Sequence, residues 1–212
     1  MGEIVIGGMC LGELQTNCYF AYRKGENRAI VIDPADHGKR IFEKLKENGI
    51  EVSAILLTHG HFDHIYGVDD LKEAAGGIKV YASEKEKDLL SDTRKNVSRS
   101  MGREASVEAD VYVHDSEEIT IEGMTFKVIE TPGHTEGGCC YYFPEGSHLF
   151  CGDTLFRESY GRYDFPTGDY NTLMKSIKEK LFLLPDDTKC YPGHGMMTTI
   201  GHEKEFNPCL FD

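Results

Sequence analysis

The sequence predicts a mixed α/β (α+β) fold in which two mixed β-sheets pack face to face with helices outside. Three observations carry that expectation. Strand-like and helix-like stretches occur in both halves of the 212 residues. The second half runs through successive strand-like stretches separated by turns, which suits hairpins. The crossovers between strands are too irregular for a doubly wound parallel sheet.

Taken in order, Ile4 to Ile6, Cys18 to Tyr22 and Ala29 to Ile32 read as short strands, and Asp33-Pro34 breaks the third. In GKRIFEKLKENG, Ile41, Phe42 and Leu45 share one helical face and Gly49 supplies a stop. Val52 to Leu57 reads as a buried strand. A helix is expected from about Tyr66 to Ala75, ended by Gly76-Gly77, and then a strand from Lys79 to Ala82. Residues 84 to 103 are charged and read as helical. Strands follow at Val111 to Val113, Glu118 to Ile121, Thr125 to Glu130, Gly138 to Phe143 and His148 to Cys151. A helix over Thr172 to Leu184, a strand over Lys189 to Tyr191 and a short helix over Ile200 to Phe206 complete the series. No Pro/Gly/Ser-rich linker interrupts them, so residues 1–212 read as one domain.

The formal net charge of −13 opposes nonspecific binding to nucleic acid or to an anionic membrane, and no Lys/Arg run offers a local exception. Seven cysteines cannot all pair within one chain. Cys18, Cys139, Cys140, Cys151 and Cys190 sit in apolar, strand-like settings and read as reduced core residues of a cytoplasmic protein. The first twenty residues lack a basic segment followed by a long apolar run, so no export signal is expected. No stretch is long enough to span a bilayer.

The densest chemistry is THGHFDH, residues 58–64, directly after the apolar run that ends at Leu57. His59 and His61 alternate about Gly60, which gives the backbone freedom to bend and lets both imidazoles converge. Asp63 and His64 lie one turn further on and face a second point. Four metal-type side chains in six positions are too many for one catalytic metal, which takes three protein ligands. The spacing therefore points to two metals side by side. A surface turn rich in histidine by chance is the alternative. It is a poor one, since nine histidines in the chain would rarely put three in six positions. Three further strand ends carry a similar side chain beside Gly or Pro: His134 in TPGHT, Asp153 in CGD and His194 in YPGHG. His37, His114, His148 and His202 match no motif and read as surface residues.

The series THGHFDH, GHT, GDT and PGHG, with Asp33 in VIDP, resembles the metallo-β-lactamase superfamily. The resemblance implies a four-layer αββα sandwich with the metals at one edge. It assigns His59, His61 and His134 to one metal, Asp63, His64 and His194 to the other, Asp153 as the bridge and Asp33 as support for the first loop. It implies a hydrolase acting on a small molecule through a metal-bridging hydroxide, with Asp63 orienting that hydroxide or carrying a proton. Zinc suits these donors best, and iron or manganese is accepted by the same set.

Within the superfamily, GRYD (161–164), LMKSI before LP, PGHG and TTIGHEKEFNP (198–208) resemble the short glyoxalase II-like branch. That branch hydrolyses S-acylglutathione thioesters. Arg162 falls where the branch grips glutathione, and an ion pair to Glu203 is its structural alternative. The full-length branch also has a C-terminal helical domain, which is not expected here, and a Tyr where this chain has Met196. Secreted β-lactamases are set aside for want of an export signal and because Asp153 fills a place where many of them carry Cys. Rival activities are lactone or phosphodiester hydrolysis, and a persulfide dioxygenase with one iron on His59, His134 and Asp153.

Overall fold

The computed structural model describes residues 2–211. The first half forms β1 (Ile4–Leu11), β2 (Thr16–Arg23), β3 (Arg28–Ile32), α1 (Gly38–Glu47), β4 (Glu51–Leu56), α2 (Phe62–Ile65), α3 (Val68–Ala74), β5 (Lys79–Ser83), α4 (Lys87–Ser91) and β6 (Val111–Val113). The second half forms β7 (Glu118–Ile121), β8 (Met124–Glu130), β9 (Cys139–Phe143), β10 (His148–Gly152), a small hairpin of β11 (Leu155–Phe156) and β12 (Ser159–Tyr160), α5 (Tyr170–Glu179), β13 (Lys189–Pro192), β14 (Thr198–Thr199) and α6 (Ile200–Phe206).

These strands make two six-stranded mixed sheets, in the orders β1-β2-β3-β4-β5-β6 and β14-β13-β10-β9-β8-β7. In the first, β1 to β3 are antiparallel and β3 to β6 are parallel. In the second, β7 to β10 are antiparallel and β10 runs parallel to β13.

Three apolar clusters correspond to the three interfaces of a four-layer sandwich. The middle one joins Ile30, Ile32 and Leu56 of the first sheet to Phe126, Tyr141, Phe143 and Phe150 of the second. On the outer face of the first sheet, Val31 and Ile55 meet Ile41 and Leu45 of α1 and Leu71 of α3. On the outer face of the second, Cys140, Leu149 and Cys190 meet Leu173 and Ile177 of α5 and Ile200 of α6. Central strands covered on both faces are largely apolar: Ala29 to Ile32 are buried, and all of β10 is buried, with His148 its one polar side chain. β8 alternates instead, with Met124, Phe126, Val128 and Glu130 inward.

The layer order agrees with the sequence expectation, and four local expectations need correction. The helix expected from Tyr66 to Ala75 is split. α2 starts at Phe62 and α3 at Val68, because Gly67 between them lies so close to the Pro34 carbonyl that a side chain would not fit. Residues 84–103 form one short helix, α4, and two 3-10 turns rather than a continuous helix. The helix expected over Thr172 to Leu184 begins earlier, capped by Asp169, whose carboxylate accepts from the Thr172 N–H at 2.8 Å, and it stops at Glu179. His148 is not a surface residue. It is buried in β10, and its Nδ1 lies 2.9 Å from the Tyr191 hydroxyl. His37 and His114 are exposed, while His202 is half-buried beside Glu158.

Cys18, Cys139, Cys140, Cys151 and Cys190 are buried thiols with no disulfide between them. Burial pushes the Cys18 and Cys140 thiols up from their ordinary range, Cys140 to about 12, so they stay protonated and inert. No helix among the described residues is long and apolar enough to cross a membrane.

Candidate metal centre

Strand direction assembles the site. β3 and β4 are parallel, so Asp33 and the Thr58–His64 turn leave the first sheet at one edge. β9 is antiparallel to both β8 and β10, and β10 is parallel to β13. β8, β10 and β13 therefore end on the same side, delivering His134, Asp153 and His194. The Cys139 N–H donates to the Thr58 carbonyl at 2.8 Å and ties the two sheets together at this edge.

Three groups of donor atoms result, each within 4.8 Å of one another: His59, His61 and His134; His59, His64 and Asp153; and Asp63, His64 and His194. His61 Nδ1 lies 2.8 Å from His134 Nε2, which lies 3.2 Å from His59 Nε2. Asp153 reaches both sides, with Oδ1 at 3.4 Å from His64 Nε2, and Oδ2 at 3.6 Å from His134 Nε2 and 3.5 Å from His194 Nε2. Asp63 Oδ2 is 3.2 Å from His194 Nε2. All seven residues singled out in the sequence meet at this edge.

The donor set fits a metal pair. His61 Nε2, His64 Nε2 and Asp153 Oδ1 are buried with no hydrogen-bond partner, a costly state that a bound cation relieves at the two converging atoms, His64 Nε2 and Asp153 Oδ1. The outward nitrogens of four imidazoles are held by protein. His59 Nδ1 is 3.2 Å from Thr58 Oγ1, and His64 Nδ1 is 3.0 Å from Asp33 Oδ2. His134 Nδ1 donates to the Arg162 carbonyl at 2.7 Å, and His194 Nδ1 to the Leu14 carbonyl at 3.2 Å. Fixing a proton on Nδ1 aims Nε2 inward, the nitrogen a metal would take once any proton on it has left. Tetrahedral zinc at its usual Zn–N length would set such nitrogens about 3.3 Å apart, close to the spacing around His59 and His134.

The charge states of the two sides differ. Burial is the main cause that pushes His59 well below its ordinary range and His61 down to about 3, with neighbouring imidazoles adding to it. Burial also lowers His134, against the pull of Asp153. On the other side, burial opposes charge on His64, but Asp63, Asp153 and Asp33 together hold it well above its ordinary value. For His194, burial is again opposed and outweighed, here by hydrogen bonds to Asp153 and Asp63, and its pKa rises to about 9. Burial would raise the Asp63 and Asp153 carboxyls, but His64 and His194 hold both low, Asp153 most strongly.

Several supporting residues carry no sequence signal. Glu86 is fully buried, and its carboxylate accepts from the Gly60 N–H at 2.8 Å, the Thr135 hydroxyl at 2.6 Å and the Gly137 N–H at 2.9 Å. It thus joins the loop of His59 and His61 to the loop of His134. Burial pushes its pKa up to about 7 against those three bonds. Thr16 donates to Asp63 Oδ2 at 2.7 Å, and Asn17 donates to the carbonyls of Pro192 and Gly195, clamping the His194 turn. Asp33, the support that the sequence does signal, accepts from the Thr58 N–H at 2.8 Å and the Thr58 hydroxyl at 2.6 Å. Gly60 differs from its expected role. Its φ is not positive, and a side chain there would press on Leu89 and Leu90, so it serves close packing rather than a bend.

Beside the donors lies an open cavity of about 510 Å³, bordered by His61, Asp63, His134, Asp153 and His194. Arg162 lines it, but not as an ion pair with Glu203. Its guanidinium bonds bidentately to Asp164, both contacts at 2.8 Å, and sits 3.6 Å over the Phe165 ring. Glu203 is buried elsewhere, accepting from Thr198, Asn207 and the Glu158 N–H.

A four-layer sandwich with seven His and Asp donors gathered at the strand ends defines a metal-dependent hydrolase scaffold. The family model for the metallo-beta-lactamase superfamily matches residues 11–194, and the chain belongs to that superfamily. Over 199 residues it is 35% identical to the hydroxyacylglutathione hydrolase GloC of Haemophilus influenzae, covering 92% of this chain and 93% of that one. A crystal structure titled BLEG-1 B3 metallo-beta-lactamase superposes with a TM-score of 0.92 at 38% identity, over 98% of this chain and all of the other. A di-iron-bound form of TTHA1623 superposes with a TM-score of 0.84 at 35% identity, covering 95% and 98%.

Proposed function

We propose that the chain is a binuclear metal-dependent hydrolase whose substrates are thioesters. The carrying observation is that Asp153 stands between two groups of histidine donors and keeps a buried oxygen without a partner. His59, His61 and His134 would hold one ion, Asp63, His64 and His194 the other, and Asp153 both. A bound pair of divalent ions supplies Lewis acidity and a hydroxide near neutral pH. The chain's own residues do the rest. Burial keeps His59, His61 and His134 neutral, the form that donates a lone pair. Thr16 fixes the Asp63 carboxylate at the cavity wall, where it orients the nucleophile or accepts a proton. Asp33 sets the His64 tautomer.

The thioester assignment draws on the glyoxalase II-like tail motifs and on the likeness to GloC. Zinc is the proposed metal. The di-iron form of TTHA1623 keeps iron in the comparison. The one-iron reading would use only His59, His134 and Asp153 and leave Asp63, His64 and His194 converging for no purpose, so the two-metal reading is preferred.

The test is elemental analysis of protein purified without added metal, followed by a panel of thioesters, a lactone, a phosphodiester and a β-lactam. The likeness to BLEG-1 earns the β-lactam its place there. About two ions per chain with thioesters turned over fastest is the expected outcome. One iron per chain, or a panel in which no thioester is hydrolysed, overturns the assignment.

A further inference from the structure

Away from the donors the cavity wall is largely apolar, broken by Ser159, Tyr160 and Arg162. Leu14, Val97, Met101, Phe156 and Phe165 line it. The two aromatic rings flank the centre. Phe165 meets His61 edge-on at 5.4 Å between ring centroids, and Phe156 meets His194 at 6.1 Å. Leu14 and Met101 stand at the rim, 47% and 46% exposed, a large apolar exposure to leave beside a polar centre.

Each arginine nearby has an acidic neighbour. Arg162 gives Nε and Nη2 to Asp164, leaving Nη1, and sits over the Phe165 ring. Arg103, at the adjoining hollow that shares Leu14 and Met101, bonds to Asp36 at 2.8 Å and covers the Tyr66 ring at 4.2 Å. Arg157 faces the hollow beyond Phe156 and lies 3.7 Å from Glu158. A substrate carboxylate entering here would share these guanidiniums with Asp164 or Asp36. It would do so in the field of a chain with a formal charge of −13.

We infer that the substrate is a thioester whose parts beyond the scissile bond are apolar and uncharged, carried on a neutral thiol rather than on glutathione. This rests on the thioester reading above and narrows it. Apolar surface entering such a cavity strengthens binding by about fourfold per buried methylene. A dicarboxylate tripeptide gains less from a guanidinium that already has a carboxylate partner within the chain.

Binding and turnover are measured separately so that the two readings fail separately. Calorimetry on the metal-loaded protein compares two non-hydrolysable thioethers, S-hexylglutathione and S-hexyl-N-acetylcysteamine. The neutral thioether is expected to bind at least as tightly as the glutathione one, and more tightly than its S-ethyl counterpart by tenfold or more. Met101→Glu, at the exposed rim, is expected to weaken the neutral ligand at least fivefold with metal content unchanged. Tenfold tighter binding of S-hexylglutathione, lost in Arg162→Ala, overturns the inference. So does an affinity that does not change between ethyl and hexyl. Hydrolysis of the matching S-hexanoyl thioesters then tests the reaction itself. If the neutral thioether binds as expected but neither thioester is cleaved, the cavity assignment stands and the thioester function falls.

Discussion

The two halves of the candidate centre are built on opposite electrostatics. His59, His61 and His134 form a neutral half. Burial disfavours their protonated forms, and Glu86 braces their two loops from behind through three hydrogen bonds that its carboxylate accepts. Asp63, His64 and His194 form a charged half. There carboxylates hold protons on the imidazoles, and Thr16, Asn17 and Asp33 do the bracing. Asp153 belongs to both. The neutral half is ready to take a cation without giving anything up. The charged half would have to release protons first, so metal binding there is expected to depend on pH near neutrality more steeply than on the neutral half. The difference teaches that one constellation can present two unequal halves to a cation, one already deprotonated and one competing with protons.

The largest effect should come from the residue that the halves share. Asp153→Ala removes a donor from both, so metal content is expected to fall well below two ions per chain. Hydrolysis should drop by more than the ~10–100-fold typical of losing an outer partner. Elemental analysis alongside rates checks this, and retention of two ions would remove Asp153 from its bridging role.

The next effects should separate the halves. In Asp33→Asn the new amide would donate to His64 Nδ1, forcing the proton onto Nε2 and disabling that donor. A loss of about 10–100-fold in affinity is expected for the charged half, with a smaller loss on the neutral half because Asp33 also holds Thr58 against His59. In Glu86→Gln the amide nitrogen would face the Gly60 N–H, leaving one buried donor unsatisfied at a cost of about 1–3 kcal/mol. That weakening should fall on the neutral half, between His59 and His61. Metal titrations with two resolved binding steps would show opposite steps most affected in the two variants. The same step weakened most in both would mean that the halves are not independent.

How much of this could be read from the sequence follows the same division. The donors were legible because four crowd into one turn after β4 and the other three, His134, Asp153 and His194, sit at strand ends beside Gly or Pro, a pattern that turns chemistry into spacing. The layers were legible because covered strands carry continuous apolar runs, such as Ala29 to Ile32 of β3, while β8 alternates. Glu86 was not. It lies in SEKEKD, which reads as a solvated charged stretch, and only a 3-10 turn packed across two distant loops makes it a buried brace. Thr16 and Asn17 act across 47 and 175 positions, a separation that no local pattern encodes. His148 was misread because a histidine in a strand looks polar until a neighbouring strand supplies Tyr191 as its partner. Arg162 illustrates a different limit: its position is readable, but its pairing two residues on with Asp164 is a matter of side-chain geometry.

The smallest predicted effect is also the most specific to the charged half. In metal-free protein the His194 pKa of about 9 exceeds its unfolded value near 6.5. Between those values the folded chain binds more protons than the unfolded chain, so stability falls as pH rises. The contribution is complete below about pH 6.5 and lost as pH passes through about 9, with His64 acting in the same direction. Above pH 7 the neutral half adds little to this slope, because His61 titrates near 3. Tm of the chelated protein should therefore decline between pH 7 and 9, by about 2–4 °C for each kcal/mol of linkage. The zinc-loaded protein should lack that decline, because metal replaces the protons. His194→Gln should flatten the slope of the chelated form while leaving the first of the two metal-binding steps in place. Equal slopes with and without zinc would mean that the protons are not where the metal goes, and the contrast between the halves would lose its physical basis.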